Sequence, residues 1–452
     1  MKKLLVASCA ALGAAEARRA GLDRFGGILE VEPVFPALTI PAQAALLTGL
    51  PPAGTGAVAN GFYHRELRRV YFWEQSAELV SGERVWERLE RESGCAAGSA
   101  LLFFQNSVGA NADEILTPAP IHAPDGRTIP ACYSRPDFMA GLMEGQLGPF
   151  PLHHYWGPMA GLAASQWIVG AAEMVMHGGT PSTKRSAVWG LQPGAVEAVS
   201  LTGAPDLAFV YLPHLDYDLQ RFGPQSPQAG KALADLAALL EQLTESAREA
   251  GYEVIVAGDY AIEPATAALF PNRELRAAGL MSVRRVGPFE LPDFGTTPAF
   301  AVVDHQVAHV YCQAGLDPRA VAEGFEGMPG IGCVLDREAQ AGLGLDHPRA
   351  GDVILEAAPG HWFAYDWWTD EAAAPPYART VDIHNKPGYD PLELFFAPDR
   401  KGTARDASLV KGTHGRSGGG KAALILPDGF ETPAEAVRYT DLAGMIAAFA
   451  AG

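Results

Sequence analysis

A threonine, a set of carboxylates and two histidines each stand directly after an apolar run in this sequence. Together they are the inventory of a metal-assisted transfer site. Thr39 lies in the proline-bracketed stretch FPALTIPAQAALLTG (35–49), at the head of an alanine-rich helical run. A threonine there either caps the helix or faces a substrate as a nucleophile. LAFVYLPHLDYDLQRFGP leads from an apolar run into Asp216, Asp218 and Gln220, and YEVIVAGDYAI leads into Asp259 and Tyr260. TVDIHNKPGYDPLELFF carries Asp382 and His384, and LVKGTHGRSG carries His414. Taken singly, each has a plainer explanation: the two aspartates cap helices, and the histidines are satisfied loop residues. Their coincidence on strand-to-helix turns points instead to one shared site, because a doubly wound fold builds its sites at that edge. No short spacing here is a strong metal motif of the HExxH kind.

The elements that must position these groups are legible as apolar runs: LLVAS near the start, residues 99–104, LAFVYL (207–212), YEVIVAG (252–258), AFAVV (299–303), HVYC (309–312) and GDVILEA (351–357). Several are nearly continuous in apolar residues, as in strands covered on both faces. GKALADLAALLEQLTESAREAG (230–251) has apolar residues at helical spacing and a terminal glycine stop. Strands alternating with helices predict an α/β fold: a doubly wound, mostly parallel central sheet with helices on both faces, plus a smaller inserted α+β cap region. The expected division is a core over 1–260 with an insertion at about 106–165, a smaller α+β unit over 261–380, and a return to the core over 381–452 carrying His384 and His414.

Composition bounds the function. The chain has 452 residues, 48% of them hydrophobic and 19% charged, which reads as globular. Its 34 Lys and Arg against 52 Asp and Glu give a formal charge of −18. That balance argues against a polymeric nucleic-acid partner, since tracking a phosphate backbone needs clustered cations. A small phosphorylated metabolite stays compatible, because a metal can supply local positive charge. Five scattered cysteines without a CxxC pair read as buried thiols, not as a disulfide framework or zinc knot. No apolar run reaches the length of a membrane span. The N-terminal MKKLLVASCAALGAAEA reads as the first buried strand of a parallel sheet, which favours a cytoplasmic protein. The alternative, a signal peptide over residues 1–17, would make it an exported one. The aromatic stretches HHYWGP and WFAYDWWTDE read as core packing before pocket lining, and RSGGGK as a surface loop. The sequence carries no signal for oligomeric state.

The order of these motifs resembles the alkaline phosphatase superfamily, in particular its type I phosphodiesterase/nucleotide pyrophosphatase branch. FPALTIPAQAALLTGLPPAGTGAVANGFYHRE is similar to that family's Thr-nucleophile segment, VYLPHLDYDLQRFGP to its Y-x-x-x-x-D-x-x-x-H-x-x-GP motif, and GDYAI stands where the family has S-D-H-G-M. HNKPGYDPLELFFAP resembles its H-G-Y-D-N segment and KGTHG a GTHG near its C-terminus. The resemblance implies Thr39 as the nucleophile that takes the phosphoryl group and Asn60 as a donor to a phosphoryl oxygen. It implies Asp216, Asp259 and His384 as ligands of one or two divalent ions (Zn, Mn or Fe), with His414 a lesser candidate.

Three expected ligands are changed. The family's first strand ends in a metal-binding Asp where this chain has Ala7-Ser8; a histidine is replaced by Gln220, and another by Tyr260. Amide and phenol oxygens are poor zinc ligands. AFAVVDHQVAHVYC offers Asp304, His305 and His309 as substitutes, and its flanks read as strand, which would put both histidines on one face. DHQ-x-AH-x-Y and LDYDLQR also resemble a bacterial alkaline-phosphatase-like subgroup, which implies that Gln220 and Tyr260 belong to that subgroup's pattern. The implied function is metal-assisted hydrolysis of a phosphodiester, pyrophosphate or phosphomonoester of a small metabolite through a covalent phospho-Thr39. The alternatives are a transfer, isomerase or sulfate/phosphonate ester reaction on the same fold, or a catalytically silent metabolite-binding protein, for which the lost ligands speak.

Overall fold

Apolar runs without polar alternation must be covered on both faces, and five such runs build the middle of a nine-stranded sheet. In this computed structural model, which describes residues 1–122, 128–179, 203–430 and 436–452, Lys3–Cys9 lies at the centre of that sheet. It pairs in parallel with Leu207–Leu212 on one side and Tyr252–Gly258 on the other. Ser99–Leu102 and then Glu114–Pro118 extend the parallel run beyond Leu207–Leu212, and Cys132–Arg135 closes that edge antiparallel. Beyond Tyr252–Gly258 lie Ala422–Leu426, which runs antiparallel, then Gly27–Glu32 and the short Val437–Arg438. The region 106–165, read from sequence as an insertion, therefore contributes two strands to the central sheet itself.

Helices cover both faces. Leu162–Met176 and Pro227–Glu249 pack together and on the strands Leu207–Leu212 and Tyr252–Gly258. Thr39–Thr48, Val85–Ser93 and the C-terminal Leu442–Ala451 form a second group, whose Leu46, Leu442 and Ile446 face Ile255 and Leu424 of the sheet. Pro227–Glu249 shows why such a segment is helical. Ser226 accepts from the Ala229 N–H, proline occupies the first turn, and Leu233, Leu236, Leu240, Leu243 and Ala247 make one buried stripe. Among the described residues no helix is long and apolar enough to cross a membrane.

A four-stranded antiparallel sheet of Ala299–Asp304, Val307–Cys312, Val353–Ala357 and Ile331–Leu335 carries a second core. The aromatic run after it is packing, as its composition suggested: Trp362, Trp367 and Trp368 are fully buried. The stretch holding His305 departs from its strand reading. Asp304 pairs with Val307, so His305 and Gln306 are the two-residue tip of a hairpin, with His305 at φ +56°. His309 sits in the second strand and accepts the Gly351 N–H at 3.1 Å on Nδ1, away from His305. The two histidines thus do not share a face, because the chain reverses between them.

Residues 380–405 are fastened by buried charges. Lys386, 1% exposed, donates to the Thr380 carbonyl and Asp390 at 2.9 Å each and reaches Glu393 at 2.5 Å. Arg405 bonds Asp366 and lies 3.5 Å from Asp390. Removing one partner from such a network strands the others as unpaired buried charges. Lys386→Met is expected to cost about 3–5 kcal/mol in urea unfolding, and adding Glu393→Gln to recover part of it. Equal stability of wild type and single variant would contradict this.

A closed ring of contacts around Thr39

Four of the central elements deliver their ends to the same edge of the sheet. The parallel strands Lys3–Cys9, Leu207–Leu212 and Tyr252–Gly258 finish level with one another, at Cys9, Leu212 and Gly258. Gly27–Glu32 runs in the same sense, so the loop after it reaches Thr39 at that edge. Asp216 lies in the first turn of the helix His214–Phe222, directly after Leu212 and Pro213. Gly258 fits only as glycine, since a Cβ there would lie 1.9 Å from the Leu12 carbonyl oxygen, and Asp259 and Tyr260 follow it.

Thr39 begins the fully buried helix Thr39–Thr48, whose N-cap Leu38 offers no side-chain acceptor. Asn60 supplies it from a distance: its Oδ1 accepts the Ile40 N–H at 2.9 Å. Its backbone N–H and Nδ2 donate to Asp304 at 2.8 and 3.2 Å. Asn60 does not line the cavity that Thr39 faces. Its contacts are those of a remote helix cap tied to the hairpin tip, which differs from the phosphoryl-oxygen donor that the resemblance implies.

The other polar groups close into a ring. Tyr260 Oη lies 3.2 Å from Thr39 Oγ and donates to Asp216 Oδ1 at 3.4 Å, which leaves Thr39 as donor to the phenol. Gln220 Nε2 donates to Asp216 Oδ2 at 2.6 Å, and Gln220 Oε1 accepts from Tyr389 Oη at 2.7 Å. From Tyr389 a column of rings leads back to Tyr260. Tyr389 stacks on His305 (centroids 3.6 Å), His305 contacts His414 (3.8 Å), and His414 stacks on Tyr260 (3.6 Å, planes 6° apart). Backbone bonds pin the column: Gln306 N–H to His414 O at 3.0 Å, Ala37 N–H to Gly415 O at 3.0 Å, and Tyr389 N–H to Val303 O at 2.9 Å.

Burial governs the charge states. It raises the Asp216 carboxyl to about 7, against donation from Gln220 and Tyr260 that lowers it. It holds Asp259 well above the ordinary carboxylate range, with the neighbouring Asp216 charge pushing the same way. Burial keeps His305 and His414 far below the usual imidazole range, so both are neutral. His414 Nδ1 lies 2.7 Å from the Ala37 carbonyl, which can only accept, so the ring hydrogen is on Nδ1 and Nε2 is an acceptor. That Nε2 has no hydrogen-bond partner and lies 3.8 Å from Asp216 Oδ1.

Of the residues singled out from sequence, Thr39, Asp216, Gln220, Tyr260, His305 and His414 thus meet. Asp259 is adjacent, with its Oδ1 accepting the N–H groups of Ala11 and Tyr260 at 2.8 and 2.9 Å. His384 lines the cavity, but its Nδ1 pairs with the Phe72 carbonyl at 3.0 Å. The expected convergence of Asp216, Asp259 and His384 on one cation is not what this arrangement provides. Among the described residues no group of three or more His, Cys, Asp or Glu could hold a metal ion. Both Asp216 oxygens face hydrogens, the Gln220 oxygen is taken by Tyr389, and Tyr260 offers a protonated phenol. The donor set does not fit the two-cation centre that the resemblance implies. Tyr389 was passed over in the sequence although it stands five residues after His384. The hydroxyl partner and the ring it stacks on both come from distant segments, so no local spacing marks it.

Thr39 and Asp216 open into a cavity of about 390 Å³ whose wall includes Trp73, Tyr155, Trp156, Tyr211, Tyr217 and Ile383. HHYWGP, read as packing, thus supplies Tyr155 and Trp156 to the site. A larger cleft of about 740 Å³ shares Tyr260 and His414 in its wall but contains neither Thr39 nor Asp216. The RSGGGK loop lines that cleft, where Arg416 is engaged by Glu263 at 2.6 and 2.9 Å.

A family model for type I phosphodiesterase/nucleotide pyrophosphatase matches residues 26–390. No curated protein matches the chain. Among solved structures, phosphonoacetate hydrolase from Sinorhizobium meliloti 1021 in complex with phosphonoacetate aligns at 15% identity and TM-score 0.62, over 100% of this chain and 96% of that one. Murine ectonucleotide pyrophosphatase/phosphodiesterase 5, as an inactive variant in complex with AMP, aligns at 14% identity and TM-score 0.59, over 100% and 95%. At these identities the likeness is one of fold.

The raised Asp216 carboxyl has a consequence for stability. An acid that gives up its proton near 4 when unfolded and near 7 when folded binds more protons in the folded state between those values. Its contribution therefore falls as pH rises through that window. Asp216→Asn removes the term and keeps an acceptor for Gln220, while its amide donates to Tyr260 Oη, whose own hydrogen turns to Thr39 Oγ. The melting temperature of Asp216→Asn should fall less than that of wild type between about pH 4 and 7 and match or exceed it at pH 8. A variant markedly less stable than wild type at pH 8 would show that the charged form is favoured by the site.

Proposed function

The chain belongs to the type I phosphodiesterase/nucleotide pyrophosphatase family of the alkaline phosphatase superfamily and is a hydrolase of that family, and from this premise we propose that it cleaves a phosphodiester or phosphonate ester through a covalent intermediate on Thr39. The observation that carries this reading is the file of three groups on the cavity wall: Thr39 Oγ 3.2 Å from Tyr260 Oη, and Tyr260 Oη 3.4 Å from Asp216. A threonine hydroxyl is a weak nucleophile until a neighbouring group takes its proton. A carboxyl raised to about 7 is matched to that task near neutral pH. In the first step the Thr39 Oγ–P bond forms and the bond to the leaving oxygen breaks. The Thr39 proton passes to Asp216 through Tyr260, and the leaving oxygen departs as an oxyanion that takes a proton from solvent. Water then attacks phosphorus and releases its proton to solvent, and the departing Thr39 oxygen recovers its hydrogen from Asp216.

The cavity also argues for a class of substrate. Its aromatic wall suits a planar or apolar ester group. Among the described residues its charged lining groups are the acids Glu74 and Asp216, with no Lys or Arg. A second negative charge about 4 Å from an ionised Asp216 costs about 4 kcal/mol at an effective dielectric of 20. The site therefore favours a monoanionic diester or phosphonate monoester over a phosphomonoester dianion. Phosphonoacetate and AMP, the ligands of the two similar structures, carry more charge than this cavity offers to meet.

Turnover of bis(p-nitrophenyl) phosphate is expected to fall by about 10³-fold or more in Thr39→Ala, while Thr39→Ser keeps a hydroxyl and loses about 10-fold to 100-fold. A rapidly quenched reaction should place the phosphoryl adduct on the peptide containing Thr39. Undiminished turnover in Thr39→Ala would end this reading. On the charge argument, kcat/KM for the diester should exceed that for p-nitrophenyl phosphate by about 100-fold or more. Equal values would show that the site meets a dianion by some other means.

A further inference from the structure

Resting on the reading of Thr39 as the nucleophile, we infer that this centre activates its threonine through its own hydrogen-bonded side chains in place of a resident pair of divalent cations, with Tyr260 as the link between Thr39 and Asp216.

A cation bridging a hydroxyl and a carboxylate stands about 2 Å from each oxygen. Here the Tyr260 oxygen stands between Thr39 and Asp216, at 3.2 and 3.4 Å, which are hydrogen-bond lengths. The remaining Asp216 oxygen takes the Gln220 amide at 2.6 Å. That amide cannot turn its oxygen inward without losing Tyr389 Oη, which it accepts at 2.7 Å. Asp259 spends Oδ1 on two backbone N–H groups. Tyr260 also lies flat on His414 at ring-contact distance, so its phenol cannot swing aside without breaking the column. Gln220 and Tyr260, two of the three changed positions, both donate to the one Asp216 carboxylate, as a substitute for cations requires.

The same geometry gives the proton a course. Tyr260 donates towards Asp216 and accepts from Thr39, so one concerted shift moves a hydrogen from Thr39 Oγ to Tyr260 Oη and another from Tyr260 Oη to Asp216 Oδ1. Tyr260 ends as it began. Asp216 Oδ1 keeps the hydrogen there, since the neutral His414 Nε2 lies 3.8 Å away, beyond hydrogen-bond distance, and is the weaker base.

The test separates this inference from the function it rests on. Purified protein is analysed for Zn, Mn and Fe by plasma mass spectrometry, and its melting temperature is read with and without added zinc or manganese chloride. Turnover of bis(p-nitrophenyl) phosphate is measured before and after exhaustive dialysis against a chelator. The expected result is far less than one ion per chain, no melting shift with either metal, and Thr39-dependent turnover that survives chelation. Tyr260→Phe keeps the ring stack and removes only the hydroxyl. It should lower kcat by about 10²-fold with KM nearly unchanged, and the melting temperature should fall because Thr39 and Asp216 each lose a buried hydrogen-bond partner. Gln220→His combined with Tyr260→His restores imidazoles at both positions and should acquire a zinc-dependent melting shift that the wild type lacks. Stoichiometric metal with turnover lost on chelation and regained with zinc or manganese overturns the inference and leaves Thr39 as the nucleophile. Wild-type kcat in Tyr260→Phe overturns the role of Tyr260. Absence of Thr39-dependent turnover under every condition overturns both this inference and the reaction on which it rests.

Discussion

Everything at this site follows from one constraint: Asp216 is a buried carboxylate with no cation among the side chains that touch it. Burying an ion without a partner is expensive, and the group escapes by holding its proton more tightly or by collecting hydrogen-bond donors. Asp216 does both. Its carboxyl is raised to about 7, and Gln220 and Tyr260 each aim a hydrogen at one of its oxygens. Each donor must in turn be held in place. Tyr389 holds Gln220 through its amide oxygen, and His414 holds Tyr260 through its ring face. His305 fills the space between those two supports. One unmatched charge thus fixes five other side chains, which come from five separate segments.

The ring column also joins parts of the fold that have separate cores. Tyr260 follows the strand Tyr252–Gly258 of the large sheet, and His414 precedes Ala422–Leu426 of the same sheet. His305 is the hairpin tip of the small sheet, in a backbone conformation at φ +56° that a non-glycine residue adopts at some cost. The neighbours that hold it there are specific: Nδ1 on Asp304, the carbonyl accepting the Phe363 N–H, and ring faces against Tyr389 and His414. Asp304, which orients His305, also takes both Asn60 hydrogens. Asn60 then caps the helix that carries Thr39. The position of Thr39 is therefore set from the second sheet as much as from the first.

The degree to which this was legible in the sequence divides along a physical line. Strands buried on both faces announce themselves: LAFVYL and YEVIVAG are strands of the central sheet, and the residues just after them stand at its functional edge. The family resemblance drawn from the Thr39, Asp216 and Asp259 segments agrees with the model that matches residues 26–390. What stayed hidden depends on tertiary contact. The hairpin reversal at His305 has no glycine or asparagine to signal it, so Asp304–His305–Gln306 read as strand. His414 ranked below His384, yet His414 is in the column while His384 is tied to the Phe72 carbonyl. Asn60 carries the residue type of an oxyanion donor, and only the position of Ile40 N–H reveals a cap. Gln220 and Tyr260 showed as departures, but that they bond to one carboxylate could be seen only in three dimensions.

On the proposed reading, a cavity with acids and, among the described residues, no basic side chain would also shape what happens after chemistry. A monoanionic diester, the proposed substrate, would enter with one charge, and its hydrolysis would yield a phosphomonoester that can lose a second proton in water. As that proton leaves, the product's repulsion from an ionised Asp216 rises by the same few kcal/mol that disfavour a dianion as substrate. A site built around a fixed cation pair gains affinity for its product at this step, whereas this one loses it. The Asp216–Tyr260–Gln220 arrangement is held by hydrogen bonds, and on the proposed reading it would bias the cycle towards release. The uncompensated charge that makes the carboxylate costly to bury is the same charge that clears the cavity.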